Sequence, residues 1–206
     1  MTGAIIHIGC LLALWGAVDG GAPSTAPPVK TPARSTADGG AGATAKTPAR
    51  AAVETALATG SGAADLQELA ARAPGELIGV ASDRTVSEAV RGRALAALAY
   101  ARTARVHAFL ENFIVARTPS SEPSDRALLR RAATALGWQG GPRLVEVIAP
   151  LLDNPDADVR QDAAAALAIG RARDAEAPLR ARLVLEKDPA VRRQIDAALQ
   201  AVAPAP

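Results

Sequence analysis

The sequence predicts an all-α protein, an α-solenoid or superhelix of about four helical hairpins. Three observations predict it. Hydrophobic residues make up 49% of the chain but aromatics only 2%, with alanine dominating. Alanine has the best helix propensity and lets helices approach closely, whereas sheet cores draw on β-branched and aromatic residues. Second, Pro142 to Gly170 reads as two short helices joined by a turn. Third, ungapped copies of its second helix recur along the chain, and no strand pattern interrupts them.

Residues 4–18, AIIHIGCLLALWGAV, form an apolar run of signal-sequence length, short for a membrane span. Small residues follow it, from Gly16 to Ala22, although Met1-Thr2-Gly3 carries no basic residue. Residues 1–22 are therefore expected to be a signal peptide or N-terminal apolar anchor. Cys10 follows Ile8-Gly9, but His7 stands where a lipidation box wants leucine, so the cysteine reads as one more apolar residue. As the chain's one cysteine, it allows no internal disulfide.

Residues 23–47, rich in Pro, Ala, Gly and Thr, offer too little apolar surface to offset ordering, and read as a disordered linker. The neighbourhood repeats itself as Lys30-Thr31-Pro32-Ala33-Arg34 and Lys46-Thr47-Pro48-Ala49-Arg50. Two short basic docking sites are one reading; a tandem expansion inside a spacer is the other, and it is preferred. Lys30, Arg34, Lys46 and Arg50 stand against Asp19 and Asp38, so the net charge of +2 lies within the first fifty residues. The remainder is neutral, which weakens a nucleic-acid reading, since that wants a basic face on the folded part.

Residues 48–203 are expected to hold the repeat domain. Thr47 caps and Pro48 opens a helix over 48–59, closed by Gly60-Ser61-Gly62. A second covers 63–73; whether 63–81 is one kinked helix or two pieces stays open, because Pro74-Gly75 interrupts it. Four second helices then align: VRGRALAALAY from Val90, LLRRAATALGW from Leu128, VRQDAAAALAI from Val159 and VRRQIDAALQA from Val191. Their shared leucines are Leu98, Leu136, Leu167 and Leu199. First helices precede them at roughly 63–81, 104–117, 142–152 and 174–186. In 142–152, Leu144, Val147, Ile148, Leu151 and Leu152 make one stripe that Pro150 should kink. Thr118 to Ser124 is a surface loop. Asp156 or Asp158 can cap the helix from Val159, and Gly170 ends it as a C-cap.

Asn154-Pro155-Asp156-Ala157-Asp158-Val159-Arg160 and Asp188-Pro189-Ala190-Val191-Arg192, each followed by an Ala-rich helix, resemble HEAT repeats of the short bacterial form. The resemblance covers roughly 63–202 and is poor around Leu128, where Leu129 replaces the arginine. It implies a structural ladder of turn aspartates and helix arginines, here Asp188 with Arg192 and Asp156 or Asp158 with Arg160. It also implies that the second helices line a concave side used for partner recognition.

Positions off the apolar stripe on those helices, Arg93, Arg130, Arg131, Thr134, Gln161, Asp162, Gln194 and Asp196, would then form a groove, basic in its first half and acidic in its second. Alanines between them (Ala96, Ala133, Ala164, Ala165) would admit a partner helix or extended peptide. Ordinary solvated surface explains the same residues equally well.

Catalytic chemistry finds little support. His107 and Glu111 stand four residues apart on a helix, which two ligands alone do not turn into a metal site. Ser120, Ser121 and Ser124 have no base at hand. Tyr100, Phe109, Phe113 and Trp138 are expected to fill the core, with Tyr100 or Trp138 the candidates for anchoring a ligand. The sequence thus reads as a non-enzymatic protein-binding or scaffolding module of the bacterial cell envelope, exported, periplasmic or envelope-associated. No cofactor, metal or nucleic acid is expected; the partner is a protein or peptide, a membrane tether could run through the N-terminal segment, and a monomer is expected. The alternative is a cytoplasmic accessory protein of a HEAT-like lyase or nucleic-acid-acting enzyme class. Some HEAT-like proteins are associated with phycobilin attachment and others excise alkylated bases. A chain poor in aromatics and histidine suits a pigment badly, and a neutral domain suits base excision no better.

Overall fold

A computed structural model of the chain describes residues 47–60 and 62–203. The apolar run, Cys10, nearly all of the spacer and the first basic pentapeptide lie outside these residues. Among them are ten α-helices and no strand.

α1 (Pro48–Ala58) starts as its sequence dictates: the Thr47 hydroxyl oxygen accepts from the Arg50 N–H at 3.2 Å, and Pro48 fills the first turn, where no donor is needed. α2 (Ala63–Arg72) and α3 (Pro74–Ser82) are separate helices. Ala73 sits at φ −140° and ψ 50°, because the proline ring after it disfavours helical geometry. This settles the 63–81 segment as two pieces, with α3 as the first helix of the hairpin completed by α4 (Glu88–Leu98).

α5 (Ala104–Arg117) is capped by Thr103. α6 (Pro123–Gln139) begins earlier than expected, so the loop before it spans only 118–122. Pro123 stands in the first turn of the helix, not in the loop, since its fixed φ suits that position. α7 (Leu144–Ile148) is short; the chain then tightens into a 3-10 segment, Ala149–Asp153, with Pro150 near its start. α8 (Ala157–Ile169) takes its cap from Asp156, which accepts from the N–H groups of Asp158 and Val159. A 3-10 turn, Arg173–Ala175, leads into α9 (Glu176–Leu185), and Asp188 caps α10 (Pro189–Val202) in the same way. Asp188→Ala should therefore cost about 1 kcal/mol in urea unfolding, the usual price of a lost N-cap.

α4, α6, α8 and α10 pack side by side as one layer, and α3, α5, the α7 segment and α9 form the other. Each hairpin closes between layers, and α1 and α2 lie against α3 and α4. The interior is thin. Ala94, Ala132 and Ala163, with Leu98, Leu136 and Leu167, are wholly buried in the first three units. A Cβ on Gly137 would stand 2.7 Å from the Ala166 carbonyl oxygen and 2.9 Å from its Cα, so the α6 and α8 backbones touch there.

Gly170 follows the same logic. It is the C-cap, at an ordinary helical φ of −74°, and a Cβ there would run into Leu144 Cδ2. The left-handed residue is Arg171, at φ 48°. Close packing, not turn geometry, requires the glycine.

Candidate functional site

The second helices carry the positions expected to line a groove, and the structure gives most of the charged ones internal work. Arg93 donates from one terminal nitrogen to Leu57 O at 2.8 Å and Ala58 O at 3.4 Å, closing the end of α1. Arg130 crosses to the next unit, with Nε 2.7 Å from Asp162 Oδ2 and a terminal nitrogen 2.9 Å from Asp158 Oδ2. Arg126 makes a parallel contact with Asp156 at 3.2 Å. The Arg131 stem lies on Gly92, where an added Cβ would be 2.8 Å from its Cδ and Nε. The Thr134 hydroxyl donates to Arg130 O at 3.1 Å.

Opposite charges are thus joined along the stack, not separated into a basic and an acidic half. Burial pushes the Asp162 carboxyl up, against the pull of Arg130. Burial also opposes the Arg130 charge, yet Asp162 and Asp158 hold that guanidinium above its ordinary value.

Asp196 is placed differently again. It aligns with Leu95, Ala133 and Ala164, all buried where the next unit covers them. On α10 no further helix of the described residues covers that position, and Asp196 is exposed. It belongs to the end face of the stack, where a polar residue replaces the apolar ones of the inner units. Gln161 and Gln194 are half-buried.

Two rows remain along the layer of second helices. Ala96, Thr134, Ala165 and Ala197 form a shallow one; Tyr100, Trp138, Ile169 and Ala201 form a larger one at the helix ends. Their members in the first three units are half-buried, and those on α10 exposed. Three of the four aromatics fill the core as expected: Phe113 is buried, Phe109 meets it at 5.5 Å between ring centroids, and Tyr100 packs on the core, its hydroxyl pushed up by burial. Trp138 is half-buried and stands outside that cluster. The tandem alignment was the signal for it, since it groups Trp138 with Tyr100 and Ile169.

The ladder is present but shifted. Asp156 and Asp188 spend a carboxylate oxygen on capping, and the acid that meets Arg160 is Glu186. Glu186 Oε2 accepts from Arg160 Nε at 2.7 Å and from Arg182 Nε at 3.0 Å, while Oε1 accepts from an Arg160 terminal nitrogen and from the backbone of Lys187 and Asp188. The expected partners Asp188 and Arg192 do not form an ion pair; Arg192 donates to Leu183 O and Glu186 O. Arg91 likewise donates to Ala81 O and Arg160 to Asn154 O, so in the three motifs that have an arginine after the first position it ties the end of its own first helix. The Arg160 hydrogen bond above all holds the Glu186 carboxyl far below the usual carboxylate range.

His107 Nε2 lies 3.3 Å from Glu111 Oε1, but the other oxygen of Glu111 is 2.9 Å from Arg143. Nδ1 faces Gln139 Oε1 at 3.3 Å, and Gln139 donates to Leu98 O and Ala101 O. The group fastens α5 to the end of α6. Among the described residues no three ligand-type side chains gather as a metal site, and no helix is long and apolar enough to cross a membrane. The Ser120 hydroxyl donates to Asp125 Oδ2 at 2.8 Å, leaving it a loop-fixing role.

Comparison with known proteins adds one match. Residues 114–200 match the family model for HEAT repeats. No curated protein matches the chain. The matched stretch runs from the end of α5 into α10, and the hairpin of α3 and α4 stacks on it in the same two layers. Over residues 114–200 the chain carries HEAT repeats.

Proposed function

We propose that the chain is a non-enzymatic binding and scaffolding module of the cell envelope, taking a protein segment along the concave face of α6, α8 and α10. HEAT repeats generally mediate protein–protein interaction, and the family is typically a non-enzymatic scaffold. The observation that carries the choice of face is the double row of small and apolar side chains, with Trp138 outside the core, on helices whose other sides are occupied by neighbours. Small side chains let a partner backbone approach, and a part-exposed indole supplies the anchor that interface hot spots favour.

A photo-crosslinker at Ala165 should yield protein adducts, and the same group at Asn112, exposed on α5, should not. Ala165→Arg should abolish those adducts, read with the crosslinker moved to Ala197, while the thermal midpoint holds. Equal labelling from Asn112 would remove the concave assignment. The envelope setting rests on the apolar run at 4–18 and the spacer after it. Cell fractionation with N-terminal sequencing tests it: mature protein should begin beyond the apolar run. Cytosolic protein retaining Met1 would favour the accessory-enzyme reading instead.

A further inference from the structure

Three joints of the stack are closed by an arginine that reaches forward to an acid of the following element. Arg50 of α1 pairs with Asp83, the C-cap of α3. Arg130 of α6 pairs with Asp158 and Asp162 of α8, and Arg160 of α8 with Glu186, the C-cap of α9. Arg160 divides its guanidinium between two units. Nη1 donates to Asn154 O at 2.9 Å and Pro155 O at 3.0 Å in its own unit. Nε and Nη2, the opposite edge, donate to the two oxygens of Glu186 at 2.7 and 2.9 Å.

Arg192 holds the aligned position in the fourth unit. Its Nη1 makes the equivalent pair of bonds, to Leu183 O at 2.9 Å and Glu186 O at 3.0 Å. Its Nε and Nη2 have no acceptor among the described residues, and Arg192 is exposed. The edge that grips the next unit elsewhere is thus left open at the end face. The α9 half of that face is apolar. Val184 stands seven residues before Val191, as Leu152 stands seven before Val159. Leu152 is 2% exposed, on a segment that α9 packs against, whereas Val184 is 83% exposed. A solvated end cap calls for a polar residue there.

We propose that this end face pairs two copies of the chain about a two-fold axis, in place of the monomer expected from the sequence. The free edge of Arg192 takes Asp196 of the partner subunit, and Asp196 takes the partner subunit's Arg192. Asp196 is exposed on the same helix and makes no hydrogen bond or ion pair among the described residues. An isologous contact requires such a self-complementary patch. Arg192 and Asp196 lie about one turn apart, so antiparallel α10 helices crossing level with Gln194 set each arginine against the opposite aspartate. The planar fork of arginine suits a carboxylate, as Arg160 shows with Glu186. Arg180 and Ala181 of α9 lie about as far before the turn at Lys187 as Gln194 lies after it. The same axis therefore sets Val184 over the exposed Ala177 of the partner subunit, a large side chain on a small one. Arg180, near the axis, is already held by Glu176 at 2.8 Å. The pairing does not depend on the concave-face reading.

The test is sedimentation of the full-length protein over a concentration series at low ionic strength. The wild type should pass from monomer to dimer mass and no further. Asp196→Arg, which opposes like charges at both pairs, should stay monomeric with its thermal midpoint unchanged, and Val184→Lys should stay monomeric too. Arg192→Glu alone should also be monomeric, but an equal mixture of Arg192→Glu with Asp196→Arg should form a heterodimer, because together they restore opposite charges at both pairs. Arg192→Glu gives up two bonds to its own first helix; Asp196→Arg and Val184→Lys, at exposed sites, keep the test independent of a folding defect. A wild type that is monomeric at every concentration, growth beyond the dimer, a dimer that survives both Asp196→Arg and Val184→Lys, or no heterodimer from the two folded charge variants would each overturn the pairing.

Discussion

Glu186→Ala should destabilise the protein by about 3 kcal/mol, the scale expected when one partner of a buried ion pair is removed. Glu186 is only 4% exposed and is the shared acceptor for Arg160, Arg182 and two backbone N–H groups. Its loss leaves the largely buried Arg160 with the carbonyls of Asn154 and Pro155 as its remaining acceptors. The same group sets an acid limit on stability. Because its folded pKa is depressed, its contribution is fully present above the unfolded value of about 4.3 and is lost as pH falls below that toward the folded pKa. Urea midpoints measured from neutral pH down through that window should fall more steeply for the wild type than for Glu186→Ala. Parallel curves would mean that the ladder contributes nothing.

Gly137→Ala should destabilise, reversing the usual sign for a glycine inside a helix. Alanine ordinarily gains about 0.5–1 kcal/mol at such a position. Here its methyl would press on the Ala166 carbonyl oxygen and Cα, backbone atoms that cannot rotate away. Overpacking of this kind costs about 1–3 kcal/mol, so a net loss of about 1–2 kcal/mol is expected from urea unfolding. Gly79→Ala in α3 is the matched control. Its added Cβ would meet the Arg50 guanidinium at 3.7 Å, an ordinary contact, and the variant should gain stability. If both substitutions stabilise, α6 and α8 are not in backbone contact.

Much of the fold was legible because the repeats report it several times over. Leu98, Leu136 and Leu167 recur at one register and are all buried, so period and alignment agree. Local rules also worked where one residue decides: Thr47 and Asp156 cap as expected, and at Pro150, where a kink was expected, the α-helix gives way to a 3-10 segment. Gly170 was harder, because a glycine at a helix end signals conformation in the sequence, while its actual reason, Leu144, lies in another helix.

The charged residues of the proposed groove were least legible. Arg93 meets carbonyls 36 and 35 residues away, and Arg130 meets Asp162 and Asp158 32 and 28 residues on. Helical position shows which side of a helix an arginine lies on, but not which acceptor in the neighbouring unit it reaches. The ladder was displaced for a similar reason: Asp156 is drawn to its own helix N-terminus and Asp158 to Arg130, leaving Arg160 to Glu186. Asp196 was misread as groove because it shares the helix with groove positions; only the burial of Leu95, Ala133 and Ala164 shows that its position faces a neighbour.

The central claim is that hairpins gain their shared interior from adjacent units in series. It is tested most directly by amide hydrogen exchange on a chain ended after Ala172, without the fourth hairpin. Contacts between nearest units predict that α3 to α6 keep the protection they have in the full-length protein, with losses confined to α7 and α8. Uniform loss of protection through α3 to α6 would contradict it, because only a single closed bundle shares its core that way.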